Sequence, residues 1–145
     1  MRLIAHRGNL YGPDPTHENM PKIIRQVIQM DFDAEIDVWL VDDQWYLGHD
    51  NPQHEINFSF LRHEALWCHA KNLAALDTML KDGKIHCFWH QEDDFTVTSR
   101  GIIWAYPGMD ITSNAVAVMP ADATSIIGAY GICCDNVGEL RGTSD

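Results

Sequence analysis

Residues 34–41 constrain the fold more than any other stretch of this chain. They alternate with period two: Ile36, Val38 and Leu40 fall on one face, Glu35, Asp37 and Trp39 on the other. Such alternation is the signature of a β-strand. The apolar face needs a second layer to cover it. The opposite face carries a tryptophan beside its two carboxylates, which is unlike an ordinary solvated face. A strand covered on both sides belongs to a closed or doubly covered sheet. Two carboxylates turned into such an interior need a cation to offset their lost hydration.

The rest of the chain alternates strands with helices. Residues 3–5 form a short apolar strand that ends at His6-Arg7-Gly8, followed by a Gly/Pro/Asn-rich loop over 9–16. Pro21 suits the first turn of a helix, and Ile23, Ile24, Val27 and Ile28 recur at helical spacing up to about Asp31. Asp42-Asp43-Gln44 is a turn into a strand at 45–47, which continues to Gly48-His49-Asp50. A short helix is expected over 56–63, a strand over 66–71 and a helix over 72–82, stopped by Gly83. Further strands are expected at 85–90, 101–106, 115–119 and 131–135, with a short helical turn between 120 and 129. About seven core strands and four helices predict an α/β protein with a parallel sheet, poor in helix after Gly83.

With 145 residues the chain is expected to be a single domain spanning 1–145. Its 21 acidic and 10 basic residues leave a net charge of −11, which argues against nucleic-acid and anionic-membrane partners. No stretch approaches the roughly 18 apolar residues of a membrane span. The start, MRLIAHRG, is too short and too polar for a signal peptide. Cys68, Cys87, Cys133 and Cys134 contain no C-x-x-C pair and read as buried, reduced thiols of a cytoplasmic protein.

Titratable residues gather at the ends of the expected strands. His6 and Arg7 close the first, Glu35 and Asp37 share a face of the second, and His49 follows its hairpin. His69 and Lys71 share a face of the third, and His90 ends the fourth. Strand C-terminal ends are where parallel α/β proteins build sites. The chemistry suggested is phosphoryl transfer. A divalent cation on Glu35 and Asp37 would hold phosphate oxygens, Arg7 and Lys71 would donate to them, and His6 and His49 would serve as general base and general acid. Hard carboxylate ligands suit Mg²⁺, Ca²⁺ or Mn²⁺. His17, His54, His63 and His86 read as surface or packing residues.

His6-Arg7-Gly8, Glu18-Asn19, Glu35-Ile36-Asp37-Val38 and Gly48-His49-Asp50, in that order and spacing, resemble the signature of the glycerophosphodiester phosphodiesterases, within the phospholipase-C-like phosphodiesterase superfamily. Lys71 sits where that family has its E-x-K or D-x-K lysine, and Gly131-Ile132-Cys133-Cys134-Asp135 is similar to its closing strand. The resemblance implies a TIM-type (β/α) barrel, here compact and shortened, since a full barrel takes about 250 residues. It implies a metal-dependent hydrolase of small phosphodiesters, with His6 and His49 as acid and base and Glu35 and Asp37 on the metal. A hydroxyl next to the phosphate commonly attacks first in this family.

Two departures stand out. The family has a carboxylate two residues before the lysine, whereas this chain has His69, either a third ligand or a group behind the ligands. Imidazole there makes Zn²⁺ an additional candidate. The second departure is length, which falls on the later, substrate-selecting segments. Glu18, Asn19, His90, Trp104 and Asp135 are expected to line the pocket or support it, with core packing the competing reading for Trp104. If residues 131–135 fail to close the barrel beside 3–5, a partner subunit would have to cover the open edge. Two other functions fit the same residues: a non-catalytic headgroup or sugar-phosphate binding module, and an enzyme tailoring phosphodiester-containing surface polysaccharides.

Overall fold

A computed structural model describes residues 1–141. Its strands are β1 (Arg2–His6), β2 (Asp33–Val41), β3 (Gln44–Leu47), β4 (His54–Ile56), β5 (Leu66–Ala70), β6 (Cys87–Phe88), β7 (Phe95–Val97), β8 (Ile103–Ala105), β9 (Ala115–Val118) and β10 (Gly131–Cys134). The α-helices among the described residues are α1 (Pro21–Gln29) and α2 (Leu73–Leu80). The helical segments expected at 56–63 and 120–129 are 3-10 turns, Phe58–Arg62 and Ala123–Ser125. No helix is long and apolar enough to cross a membrane among these residues.

Strand pairing runs β6-β5-β2-β1-β10-β9-β8-β7. Every neighbouring pair on that path is parallel except β7 with β8. The last long strand does return to the first: Leu3 lies opposite Ile132 and Ala5 opposite Cys134. The expected TIM-type barrel is nevertheless overturned. The sheet is a curled, mixed half-barrel with two helices, and no strand ladder joins β6 to β7 or β8 among the described residues. Isolated bonds span that gap instead, from Ser99 N to Cys87 O (2.8 Å) and from Thr96 Oγ1 to Trp89 O (2.8 Å). The short links between the later strands are the physical reason. A helical crossover between parallel strands needs about a dozen residues or more, and the β8–β9 link is only 106–114. The segment after β6 turns back as antiparallel β7 before β8 begins.

The alternation predicted for 34–41 holds in β2. Its outward residues Ile36 and Val38 are buried in a cluster with Ile24 and Val27 of α1, Ala75 and Met79 of α2, and Leu61. Its inward residues Glu35 and Asp37 are buried too. Within the curl, Ile4, Trp67, Phe88, Trp104, Val116 and Cys133 form a second cluster. The alternation along each strand therefore sends one set of side chains to the helices and the other into the curl. Trp104 packs at 5.7 Å from Trp67 and 4.6 Å from Phe88, so it is core and lies below the candidate site.

Three local devices position the site. Arg7 has φ 56° and Asn19 φ 61°, so both are left-handed non-glycine residues, the kind of strained backbone that gathers at functional sites. Asp42 and Asp43, both with positive φ, make the tight turn between β2 and β3. β3 pairs with residues 38–41 of β2, beyond the stretch that β1 occupies, and delivers His49 over the strand ends. Gly48, φ +158°, is required there, because a Cβ would lie 2.0 Å from the Asn51 carbonyl oxygen.

All four cysteines are free and buried. His86 is a packing residue: its Nε2 meets Thr98 Oγ1 at 2.6 Å, its ring lies 4.3 Å from that of Trp67, and burial with the nearby Arg100 charge lowers its pKa to about 4.

The β1–β10 seam has a specific weak point. A Cβ on Gly131 would lie 2.8 Å from the Arg2 carbonyl oxygen and 3.0 Å from Arg2 Cβ. Gly131→Ala is expected to destabilise the fold by about 1–3 kcal/mol, measured by chemical denaturation. Unchanged stability would mean that the seam is not packed this closely.

Candidate metal centre and its histidines

The site is built at the C-terminal ends of β1, β5 and β10 and along the first half of β2. Register sets it up: His6 lies opposite Glu35, and Asp37 opposite His69. Because these residues share the inward phase, their side chains converge.

Asp37 is the most constrained member. Its backbone N donates to Asn19 Oδ1 (3.0 Å), and Asn19 Nδ2 donates back to Asp37 Oδ2 (3.0 Å). The same Oδ2 lies 3.5 Å from His49 Nδ1 and 3.6 Å from Arg7 Nε. Oδ1 lies 3.4 Å from His69 Nδ1. Burial would raise the Asp37 pKa, but His49, His69 and Asn19 overcome it and hold the carboxyl well below the usual range. Glu35 accepts from Arg7 N on Oε1 (3.2 Å), with His6 Nε2 at 3.9 Å from that oxygen and His69 Nδ1 at 3.6 Å from Oε2.

The histidines are oriented from behind. His69 Nε2 donates to the His90 carbonyl (2.8 Å), and its ring stacks on Phe88 at 5.0 Å and 12°. That bond leaves Nδ1 facing both carboxylates. Burial disfavours the charged ring, but Asp37 and Glu35 outweigh it and push the His69 pKa up to about 9. His6 Nδ1 donates to Asp135 Oδ1 (2.7 Å). Burial and Arg7 work against its charge, yet the Asp135 bond and the Glu35 charge raise its pKa. Asp135 also accepts from Asn9 Nδ2 (3.0 Å). Burial would raise its pKa, but those bonds from His6 and Asn9 lower it. Arg7 Nη2 donates to His49 Nε2 (3.1 Å), which places the His49 lone pair on Nε2 and its proton on Nδ1 towards Asp37.

Glu35, Asp37 and His69 each offer a ligand atom, all within 4.8 Å of one another. Two donors about 2.1 Å from a shared ion lie roughly 3.0–3.4 Å apart. The His69 spacings of 3.4 and 3.6 Å to Asp37 and Glu35 are close to that, and too long for good hydrogen bonds. His69 Nε2 is satisfied by a carbonyl, the arrangement that fixes a metal-binding tautomer. These residues could hold a divalent cation, with His69 Nδ1 offering one of the three ligand atoms.

The other expected residues divide. Glu18 accepts from Arg7 Nη1 (3.4 Å) and from Asn9 Nδ2 (2.8 Å), so it supports the Arg7 side. Lys71 and His90 line a cleft of about 730 Å³ beside His49 and His69. Trp104, expected in the pocket or its support, is corrected to core because its inward phase falls one layer deeper. Asn9 was missed. It is buried and bridges Glu18 to Asp135, and its place directly after Arg7-Gly8 was its only signal. No family model, curated protein or solved structure matches the chain.

The ion pairs have a pH consequence in the metal-free protein. The His69 pKa rises from an ordinary 6.5 to about 9 on folding. Its stabilisation is therefore complete below about 6.5 and is lost as pH climbs through about 9. In EDTA, Tm should fall between those values, with a smaller fall in His69→Gln. Equal alkaline losses in both proteins would contradict the His69–carboxylate pairing.

Proposed function

We propose that this chain is a metal-dependent phosphodiester hydrolase, of the kind the glycerophosphodiester phosphodiesterase resemblance implies, acting on small phosphodiesters. The observation that carries the reading is the pair of imidazoles flanking one carboxylate centre, His6 beside Glu35 and His49 beside Asp37. Phosphodiester cleavage needs a base, an acid and neutralisation of phosphate charge. A divalent cation held by Glu35, Asp37 and His69 supplies Lewis acidity at the phosphoryl oxygens. Arg7, at the centre, and Lys71, on the cleft wall, add donors for the same oxygens.

Geometry and charge support a division of labour opposite to the order first expected. His6, with its pKa raised, Nδ1 bound to Asp135 and Nε2 turned to the centre, starts as the acid. His49, with its lone pair on Nε2, starts as the base. A substrate hydroxyl next to the phosphate attacks phosphorus while His49 takes its proton. The bond from phosphorus to the leaving alcohol breaks while His6 protonates the departing oxygen. The products are a cyclic phosphate and an alcohol, and the two imidazoles exchange roles when water opens the ring. The buried free thiols are in keeping with a reducing, cytoplasmic setting.

Alcohol release from glycerophosphocholine, with Mn²⁺, Mg²⁺, Ca²⁺ or Zn²⁺, tests the reading. Turnover should need metal, and His6→Ala and His49→Ala should each cut kcat by about 10²-fold or more. Retained turnover in both variants would overturn the acid–base assignment. Binding without turnover in any metal would instead mark a headgroup or sugar-phosphate binding module.

A further inference from the structure

We infer that the centre selects a borderline transition metal, such as Mn²⁺, Fe²⁺, Co²⁺ or Zn²⁺, over Mg²⁺ and Ca²⁺, and that His69 is the residue that sets this choice. The inference rests on the cation site of the proposed function and not on the reaction assigned to it.

The donor set carries it. Two carboxylates and one imidazole make up the group, and no further Asp or Glu joins them among the described residues. The nearby carboxylates are engaged elsewhere. Asp135 takes bonds from His6 and Asn9, and Glu18 takes bonds from Arg7 and Asn9. Ca²⁺ wants six to eight oxygen ligands and Mg²⁺ a near-octahedral oxygen shell, and both bind largely through charge. Here the ligand charge is two carboxylates, partly offset by Arg7, whose Nε lies 3.6 Å from Asp37 and whose backbone N donates to Glu35. Hard ions lose most from that arrangement. Borderline ions gain from a nitrogen ligand and follow the Irving–Williams order.

His69 is also built for ligation and not merely nearby. His69 Nε2–H donates to the His90 carbonyl, and the Phe88 ring holds its plane, so Nδ1 is aimed at the carboxylates without a search over rotamers. The His90 backbone and the Phe88 side chain are thus positioning groups for the metal.

The test uses the full chain stripped with chelator, with no substrate present. Dissociation constants for Co²⁺, Zn²⁺, Mn²⁺, Mg²⁺ and Ca²⁺ are measured by titration calorimetry on the wild type and on His69→Asp. Proton NMR of the Co²⁺ protein looks for a hyperfine-shifted, exchangeable imidazole N–H. Co²⁺ and Zn²⁺ should bind at least about tenfold tighter than Mg²⁺. His69→Asp should narrow that ratio by about tenfold or more and abolish the shifted resonance. Mg²⁺ or Ca²⁺ binding as tight as Co²⁺, an unchanged ratio in a folded His69→Asp, or a wild-type Co²⁺ protein lacking the resonance would each overturn it. The NMR result stands even if His69→Asp does not fold. The two failures separate cleanly. Co²⁺ bound through His69 with no phosphodiester turnover upholds the selectivity and sinks the hydrolase. Turnover in a protein that binds Mg²⁺ as tightly as Co²⁺ does the reverse.

Discussion

Two carboxylates at alternate positions of one strand, both turned into the curl of the sheet, set the electrostatic problem around which this molecule is arranged. Glu35 and Asp37 are 2% and 1% exposed. A charge placed that deep without partners costs several kcal/mol. The chain answers with positive and donor groups from separate elements. β1 ends in His6 and Arg7, the β3–β4 hairpin delivers His49, β5 contributes His69, and the loop before α1 brings Asn19. These groups come from four separate stretches of the chain. The site is therefore a consequence of strand register and does not preexist in any one segment.

The fold separates that polar centre from the apolar mass. One phase of the strands packs outward on α1, α2 and the turn at Phe58–Arg62. The other phase forms the aromatic layer of Trp67, Phe88 and Trp104 within the curl. The same Phe88 serves both roles, as part of the layer and as the stacking face for His69. The links between the later strands β8, β9 and β10 contain no α-helix.

The site was more legible in the sequence than the architecture. Period-two alternation over 34–41 identified the inward carboxylates, because that period allows only one assignment of faces. The return of the last strand to the first was also readable, from Gly131 to Asp135. The closed barrel was not. Whether β6 meets β8 depends on where the segment between them runs, and nothing local in 89–94 announces that Phe95–Val97 turns back as an antiparallel strand. Trp104 was ambiguous for the same reason: its inward phase is legible, but its depth depends on stagger between strands. Asn9 had no motif beyond its place after Arg7-Gly8. His69 could be read as a ligand or as a group behind one, and the His90 carbonyl that orients its ring lies 21 residues away, where no local pattern announces it.

The central claim is that Glu35, Asp37 and His69 share one cation. The most direct measurement is anomalous diffraction from a crystal of the full chain grown with Mn²⁺ or Co²⁺, collected on both sides of the metal edge. The account predicts a single strong anomalous peak bonded to Glu35, Asp37 and His69 Nδ1, with His69 Nε2 still on the His90 carbonyl. A peak that excludes His69, or an occupied metal elsewhere with Arg7 still seated on Asp37 and Glu35, would contradict it.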